Sequence, residues 1–136
     1  MSYEVGKKAL DFLIENSGKR VNLEVDFFGG EPLMNWDVVK RLVEYGRSRE
    51  EECKKFRFTL TTNGVLLNDE IMEFANKEMA NVVLSLDGRK DVNDEMRPFR
   101  NGKGSYDLIV PKFQKFAKQR EELGLSYYIR GTFTRD

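Results

Sequence analysis

The five residues Phe28-Gly29-Gly30-Glu31-Pro32 have the composition of a ligand-binding turn. They end an alternating, strand-like run and precede a helix-like segment. The two glycines let a polar ligand approach the backbone closely, because no Cβ stands in the way. The Glu31 carboxylate suits an ammonium or hydroxyl group, and Pro32 stiffens the turn that aims it. A plain strand-to-helix turn would also use glycine for its backbone angles, so the motif alone leaves both interpretations open.

The composition excludes several kinds of chemistry. The chain of 136 residues has 23 basic and 23 acidic side chains, so its net charge gives no reason to expect nucleic acid or an anionic membrane as a partner. Cys53 is the only cysteine and histidine is absent, which excludes intramolecular disulfides, cysteine-cluster zinc sites and histidine acid–base chemistry for this chain. No apolar run approaches the roughly 18 residues of a membrane span, and no apolar leader follows Met1. We therefore expect one cytoplasmic domain.

Strand-like and helix-like segments alternate along the chain. The strand-like runs are Val21–Phe28, Phe56–Asn63, Asn81–Asp87 and Ser126–Thr134. The helix-like segments are Tyr3–Asn16, Trp36–Glu52, Asn68–Lys77 and Tyr106–Leu123. This alternation predicts an α/β fold of parallel β-α repeats. Asn35 and Asn68 are expected to cap helices and Gly46 to end one, while Pro111 predicts that the last helix begins near it or kinks there.

Each strand-like run keeps one polar side, which is unusual for parallel strands that are covered by helices on both faces. Glu24 and Asp26 alternate with apolar residues in the first run, and Arg57 and Arg130 do so in the second and fourth. Helices on the apolar side alone would leave the polar sides lining a concave interior, as in a partial β/α barrel. Charges there are expected to pair, Glu24 and Asp26 facing Arg57 and Arg130, or to contact a polar substrate. The alternative is an open sheet with one solvated face.

Short motifs follow the first three strands in order: Gly29-Gly30-Glu31-Pro32, Thr61-Thr62-Asn63-Gly64 and Ser85-Leu86-Asp87-Gly88. With them the chain resembles the radical S-adenosylmethionine superfamily, and more closely its SPASM-type peptide-modifying branch. Phe28-Gly29-Gly30-Glu31-Pro32-Leu33 and Arg130-Gly131-Thr132-Phe133-Thr134 look most similar to the thioether-forming maturases of six-cysteine peptides. The chain is also similar to sulfatase-maturing enzymes. The resemblance covers essentially the whole chain and implies part of a partial (β/α)6 TIM-like barrel.

The resemblance implies a binding site for S-adenosylmethionine. Gly29-Gly30-Glu31-Pro32 matches the motif that holds the amino end of the methionyl group. Ser85 and Arg97 match positions that look like contacts to its carboxylate, which a compact hydroxyl and a guanidinium fork suit physically. Thr62 and Asn63 are expected near the ribose or the substrate. The alternatives are a solvated surface charge for Arg97 and simple turn formation for Asn63.

The cluster-binding signature of the family is missing from this chain. Family members bind a [4Fe–4S] cluster through cysteines spaced Cys-x-x-x-Cys-x-x-Cys, whereas this chain has Cys53 alone. We therefore expect an internal fragment, about strands two to five of the barrel, with the cluster ligands outside it. No catalytic residue and no metal ligand is assigned, and the fragment is expected to be inactive by itself. Family members often carry His-Asp where this chain has Asn93-Asp94, so no role of that histidine is carried over.

For the complete enzyme, the resemblance implies reductive cleavage of S-adenosylmethionine and hydrogen abstraction by a 5′-deoxyadenosyl radical from a peptide or protein substrate. A cysteine-rich peptide and a thioether crosslink are the specific expectations. The alternative is a non-catalytic nucleotide- or peptide-binding α/β domain. A Rossmann-like enzyme is disfavoured, because the chain has no Gly-x-Gly-x-x-Gly motif. Exposed sheet edges at Val21–Phe28 or Ser126–Thr134 are expected to favour dimerisation.

Overall fold

The fold is a four-stranded parallel sheet whose strands lie side by side in chain order. The computed structural model describes residues 1–135, apart from the side chain of Glu52. The strands are β1 Asn22–Phe27, β2 Lys55–Thr62, β3 Met79–Ser85 and β4 Ser126–Arg130. The helices are α1 Tyr3–Asn16, α2 Trp36–Ser48, α3 Asp69–Glu78, α4 Lys90–Met96 and α5 Tyr106–Glu122, with 3₁₀ turns at Pro32–Asn35 and Glu50–Glu52. The prediction of parallel β-α repeats is confirmed.

The alternation along the strands decides which side of the sheet the helices cover. On β1, Leu23 and Phe27 are buried while Glu24 is exposed, and on β2 Phe58 and Leu60 are completely buried. These apolar side chains form one core with the inner faces of α1, α2, α3 and α5. The apolar faces of these helices therefore pack on the sheet, as is typical of amphipathic helices.

The opposite side of the sheet is polar, as predicted. Glu24 lies beside Arg57 in the β1–β2 register, and the two side chains form an ion pair of 3.7 Å. Arg130, from the other edge strand, places its guanidinium 5.5 Å from the centre of the Phe28 ring. Among residues 1–135 no ion pair joins Arg130 to Asp26, so that expected partnership is wrong. Phe28 follows β1 and Arg130 ends β4, and three strand spacings separate these strands, about 14 Å in a flat sheet. The contact between the two side chains therefore crosses the polar side of the sheet at one end.

Two elements differ most from the sequence prediction, while β3 is shifted by two residues and α2 ends four residues earlier than predicted. β4 ends at Arg130 instead of Thr134, because the backbone then turns so that the Thr132 N–H donates to the carboxylate of Asp87. Helix α4 was not predicted, since its only buried residue is Asn93 and it therefore has no hydrophobic periodicity.

Gly46 and Asn35 have roles other than those the sequence predicts. Gly46 lies inside α2, where an added Cβ would be 2.8 Å from Cζ of Phe58, so close packing of helix on strand requires the glycine. Asn35 makes no capping bond to α2, and its Nδ2 donates to the carbonyl of Met1 instead. Close helix–strand packing overrides the local signal at Gly46, and a contact with the first residue of the chain does so at Asn35.

The predicted cap of α3 and the predicted start of α5 are both confirmed. Asn68 accepts a hydrogen bond of 2.9 Å from the N–H of Ile71, as an N-cap residue does. Helix α5 begins at Tyr106, as the helix-like segment predicts, and continues through Pro111. Of the two options that Pro111 left open, a helix start near the proline is therefore wrong.

Arg120 on α5 is completely buried at the edge of the sheet where β3 and β4 begin. Its guanidinium donates to the carbonyls of Ala75, Met79, Ala80 and Ser126 over 2.7–3.2 Å. Within residues 1–135 no carboxylate pairs with it, and burial lowers the pKa of this guanidinium from its ordinary value. One cation thus joins the end of α3 to the starts of β3 and β4, a role that no sequence pattern indicated.

Candidate functional site

The loops at the carboxyl ends of the strands surround a cavity of about 290 Å³. This is the edge of a parallel sheet where α/β proteins bind ligands. Six of the seven predicted cofactor-binding residues line it, namely Gly29, Gly30, Glu31, Asn63, Ser85 and Arg97. The seventh, Pro32, is buried at the start of the following 3₁₀ turn, directly after Glu31. The structure therefore brings the predicted residues together, and their binding of the cofactor stays a prediction.

Gly29 and Gly30 form an open cradle beside the cavity. Their φ angles are +89° and +56°, in the left-handed region that side chains disfavour. A Cβ added to either residue would have no atom within 4 Å. The glycines are thus required by the backbone conformation, and the space beside their peptide groups is free for a ligand.

Glu31 is held by three donors from its own chain. Its Oε1 accepts from the Thr62 hydroxyl at 2.7 Å and from the Leu33 N–H at 3.2 Å, and its Oε2 accepts from the Asn63 N–H at 2.7 Å. The carboxylate thereby ties the loop after β1 to the end of β2. A carboxylate offers about four acceptor positions, so about one is left for an ammonium or hydroxyl group. The sequence indicated a ligand contact here but not this connection between strands.

Arg97 is oriented by the buried carboxylate of Asp87. Its Nε donates to Asp87 Oδ2 at 2.6 Å and its Nη2 to Oδ1 at 3.3 Å, while the Thr132 N–H also donates to Oδ1 at 2.8 Å. The Asp87 side chain is only 3% exposed. Burial by itself would raise the pKa of Asp87, but the bonds from Arg97 and Thr132 and the Arg97 charge outweigh it and hold this pKa below its ordinary value. The alternative of a solvated surface charge for Arg97 is therefore wrong.

Asn93, the position where family members often carry histidine, is a completely buried and fully bonded residue. Its Oδ1 accepts from the Asp87 N–H at 3.1 Å, and its Nδ2 donates to Ser105 Oγ at 3.3 Å. The Ser105 hydroxyl donates in turn to the carbonyl of Arg97 at 2.7 Å. Asn93 thus fixes α4 and the backbone of Arg97 against the end of β3.

Polar groups of three predicted site residues on the cavity wall remain available for a ligand. The Ser85 hydroxyl, the Asn63 Nδ2 and the Arg97 Nη1 make no hydrogen bond with any residue of the described part of the chain, and all three residues line the cavity. All three groups are donors. These donors, together with the open glycine cradle and the Glu31 carboxylate on the wall of the same cavity, suit a zwitterion that has a carboxylate and an ammonium group. The methionyl end of S-adenosylmethionine fits this arrangement.

An iron–sulfur cluster does not fit on the residues present. Across residues 1–135, no group of three or more histidine, cysteine, aspartate or glutamate side chains could hold a metal ion. Cys53 is exposed and precedes β2, so the whole eight-residue strand, about 26 Å long, separates it from the cavity.

In the same described part, no helix combines the length and the apolar composition needed to cross a membrane.

A parallel sheet with strands in chain order, helices on one side and a cavity at the carboxyl ends of the strands is the arrangement of β/α-barrel proteins. The model of the radical SAM superfamily matches residues 4–129, and the chain belongs to that superfamily. This confirms the family that the strand-end motifs indicated.

Known relatives are much longer than this chain. The radical SAM cyclopropyl synthase TigE of Paramaledivibacter caminithermalis is 32% identical over 76% of this chain and 22% of its own length. A cysteine-type anaerobic sulfatase-maturating enzyme of Clostridium perfringens is 28% identical over 85% of this chain and 33% of its own length. The structure of native anSMEcpe with bound AdoMet and Kp18Cys peptide superposes with a TM-score of 0.78, at 22% identity, over 95% of this chain and 34% of the other. That likeness confirms the fold.

Proposed function

We propose that this chain forms the S-adenosylmethionine-binding part of a radical SAM enzyme that modifies a peptide or protein. The observation that carries the proposal is the single cavity into which the glycine cradle, Ser85 and the oriented Arg97 all open. The names of the relatives support the substrate class, since they include sulfatase-maturating enzymes, and a peptide is bound in the structure of anSMEcpe.

Different residues of the cavity would bind the ammonium group and the carboxylate of the ligand. The peptide carbonyls of the glycine cradle and the remaining acceptor position of Glu31 would receive the ammonium group. The Arg97 Nη1 and the Ser85 hydroxyl would donate to the carboxylate, and the Asn63 amide would face the ribose or the substrate. When bound, S-adenosylmethionine would supply a 5′-deoxyadenosyl radical and methionine after one-electron cleavage by the reduced cluster, and the radical would take a hydrogen atom from the substrate. The protein residues contribute orientation and exclude water.

The finer parts of the proposal concern the complete enzyme. We infer that the chain is an internal part, about strands two to five of the barrel, because it spans only 22–35% of the relatives with which it aligns. The cluster ligands would then lie in a Cys-x-x-x-Cys-x-x-Cys segment a few tens of residues upstream in the parent gene. A SPASM-type enzyme that forms a thioether in a cysteine-rich peptide is the specific activity proposed. A short cysteine-rich reading frame beside the gene would support it, and the cytoplasmic location stays a prediction.

Calorimetry with S-adenosylmethionine tests the proposed function. The parent protein, prepared without oxygen and with its cluster, is expected to bind the cofactor. The 136-residue chain alone is expected to bind weakly or not at all, because the cluster holds the same amino and carboxylate groups. A parent protein that does not bind S-adenosylmethionine contradicts the proposal. Micromolar binding by the chain alone would favour the non-catalytic binding domain instead.

We also propose that the isolated chain dimerises through a sheet edge. Within residues 1–135, β1 pairs only with β2 and β4 only with β3, so both edges present unpaired backbone groups. Light scattering is expected to show a mass that rises with concentration. Ile129→Lys places a charge at an exposed position of the edge strand β4 and should weaken a β4-mediated dimer. A monomer at every concentration would refute the idea.

A further inference from the structure

Asp87 lies in the motif Ser85-Leu86-Asp87-Gly88, and Gly131 lies in the motif Arg130-Gly131-Thr132-Phe133-Thr134. The proposed function gives neither residue a role in binding the ligand. The two residues meet where β3 and β4 end. The Asp87 carboxylate is nearly inaccessible to solvent, so it is not a direct ligand contact. Its partners are instead the guanidinium of Arg97 and the backbone of Thr132.

Two of the five N–H donors of Arg97 are fixed by Asp87. Because the guanidinium is planar, hydrogen bonds from both Nε and Nη2 to one carboxylate set the plane of the whole group. The remaining donors, on Nη1 and on the outer side of Nη2, then point away from Asp87. The Arg97 side chain keeps 30% exposure and lines the cavity, so these donors are the ones that a ligand can reach.

Gly131 allows the Thr132 bond to form. A Cβ at Gly131 would lie 2.8 Å from the carbonyl oxygen of Leu86 and 3.5 Å from Cα of Asp87. The strands are still paired one residue earlier, where the Leu86 N–H donates to the carbonyl of Arg130 at 2.9 Å. Any side chain at position 131 would therefore push the chain away from β3 and separate the Thr132 N–H from Asp87.

We propose that Asp87 is a positioning residue that aims Arg97 at the carboxylate of the ligand, and that Gly131 lets Thr132 hold Asp87 in place. This inference rests on the proposed function of the cavity. It assigns both motifs to one task. The backbone after β4 holds the Asp87 carboxylate after β3, and this carboxylate orients the Arg97 guanidinium at the end of α4. Asp87 also balances the charge of a guanidinium that is partly removed from water.

The Asp87→Asn variant keeps the size of the side chain at position 87 and removes its ability to orient Arg97. Asparagine can still accept from the Thr132 N–H through Oδ1, but its Nδ2 would face the Arg97 Nε, donor against donor. In the parent protein with its cluster, affinity for S-adenosylmethionine is expected to fall about 10- to 100-fold, with a comparable loss for Arg97→Gln. The decisive variant is the double one, Asp87→Asn with Arg97→Gln, which should bind no more weakly than Arg97→Gln alone, because Asp87 acts through Arg97.

A surface carboxylate serves as the matched control. Asp91 pairs with Arg89 on the same segment but is largely exposed, so Asp91→Asn should bind like the unmodified protein. In turnover, Asp87→Asn should raise the KM for S-adenosylmethionine more than it lowers kcat, whereas general loss of structure would lower the active fraction.

Each outcome decides between the two proposals. If the unmodified protein binds and Asp87→Asn binds equally well, or if its loss adds fully to that of Arg97→Gln, the inference is overturned and the proposed function stands. If the unmodified protein does not bind, both fail. Should Asp87→Asn not fold, Arg97→Lys decides, because a single ammonium cannot hold Asp87 and present a fixed fork to the ligand. It should lose affinity about as Arg97→Gln does, and unchanged affinity would overturn the inference.

Discussion

Arg120→Met is expected to lower the free energy of unfolding by about 3–5 kcal/mol. The substitution removes the donor to the carbonyls of Ala75, Met79, Ala80 and Ser126, of which those of Ala75 and Met79 are buried. Each unsatisfied buried polar group costs roughly 1–3 kcal/mol. Part of this is recovered because a charge no longer has to be buried. Urea denaturation of the chain, followed by circular dichroism, measures the change.

Two further variants test whether the loss of stability comes from the lost hydrogen bonds to the carbonyls. Arg120→Lys keeps the charge but has three donors instead of five, so its stability should fall between those of the original protein and Arg120→Met. Lys118→Met removes a cation from an exposed position on the same helix and should change stability by less than about 0.5 kcal/mol. If Arg120→Met is as stable as Lys118→Met, water replaces the guanidinium and the assigned role is wrong.

Glu31→Ala is expected to lose most of the affinity for S-adenosylmethionine in the parent protein. The alanine leaves the Leu33 and Asn63 N–H groups and the Thr62 hydroxyl without their common acceptor, so the glycine cradle is no longer tied to β2. Hydrogen bonds to a charged group contribute about 1.5–3 kcal/mol each. A loss of about 3 kcal/mol in binding corresponds to roughly a hundredfold weaker affinity. Equilibrium dialysis against labelled cofactor measures it.

Glu24→Ala provides the matched control on β1. Glu24 forms only an exposed ion pair with Arg57, and such pairs contribute about 0–1 kcal/mol, so cofactor affinity should be unchanged. Thr62→Val removes one of the three donors to Glu31 and should cause a smaller loss than Glu31→Ala. Full affinity in Glu31→Ala would mean that the carboxylate neither holds the loop nor contacts the ligand.

The sequence by itself determined the sheet, its direction and the neighbourhood of the site. Strands that alternate with helices favour parallel pairing, and parallel pairing brings the carboxyl end of every strand to one edge of the sheet. Gly29, Asn63 and Ser85 lie within two residues of the end of a strand, so their meeting in one cavity follows from topology. The alternation of polar and apolar residues also fixed which side the helices cover, because a strand exposes alternate residues to opposite faces.

Only the tertiary structure decided how the individual polar side chains are used. The bond from Thr62 to Glu31 spans 31 positions, that from Thr132 to Asp87 spans 45, and Arg120 reaches Met79 across 41. Local patterns carry no information about such partners, because hydrogen bonding and burial depend on which distant segments pack together. For the same reason the sequence predicted ligand contacts at Glu31 and Arg97 but not the residues, Thr62 and Asp87, that hold them in place.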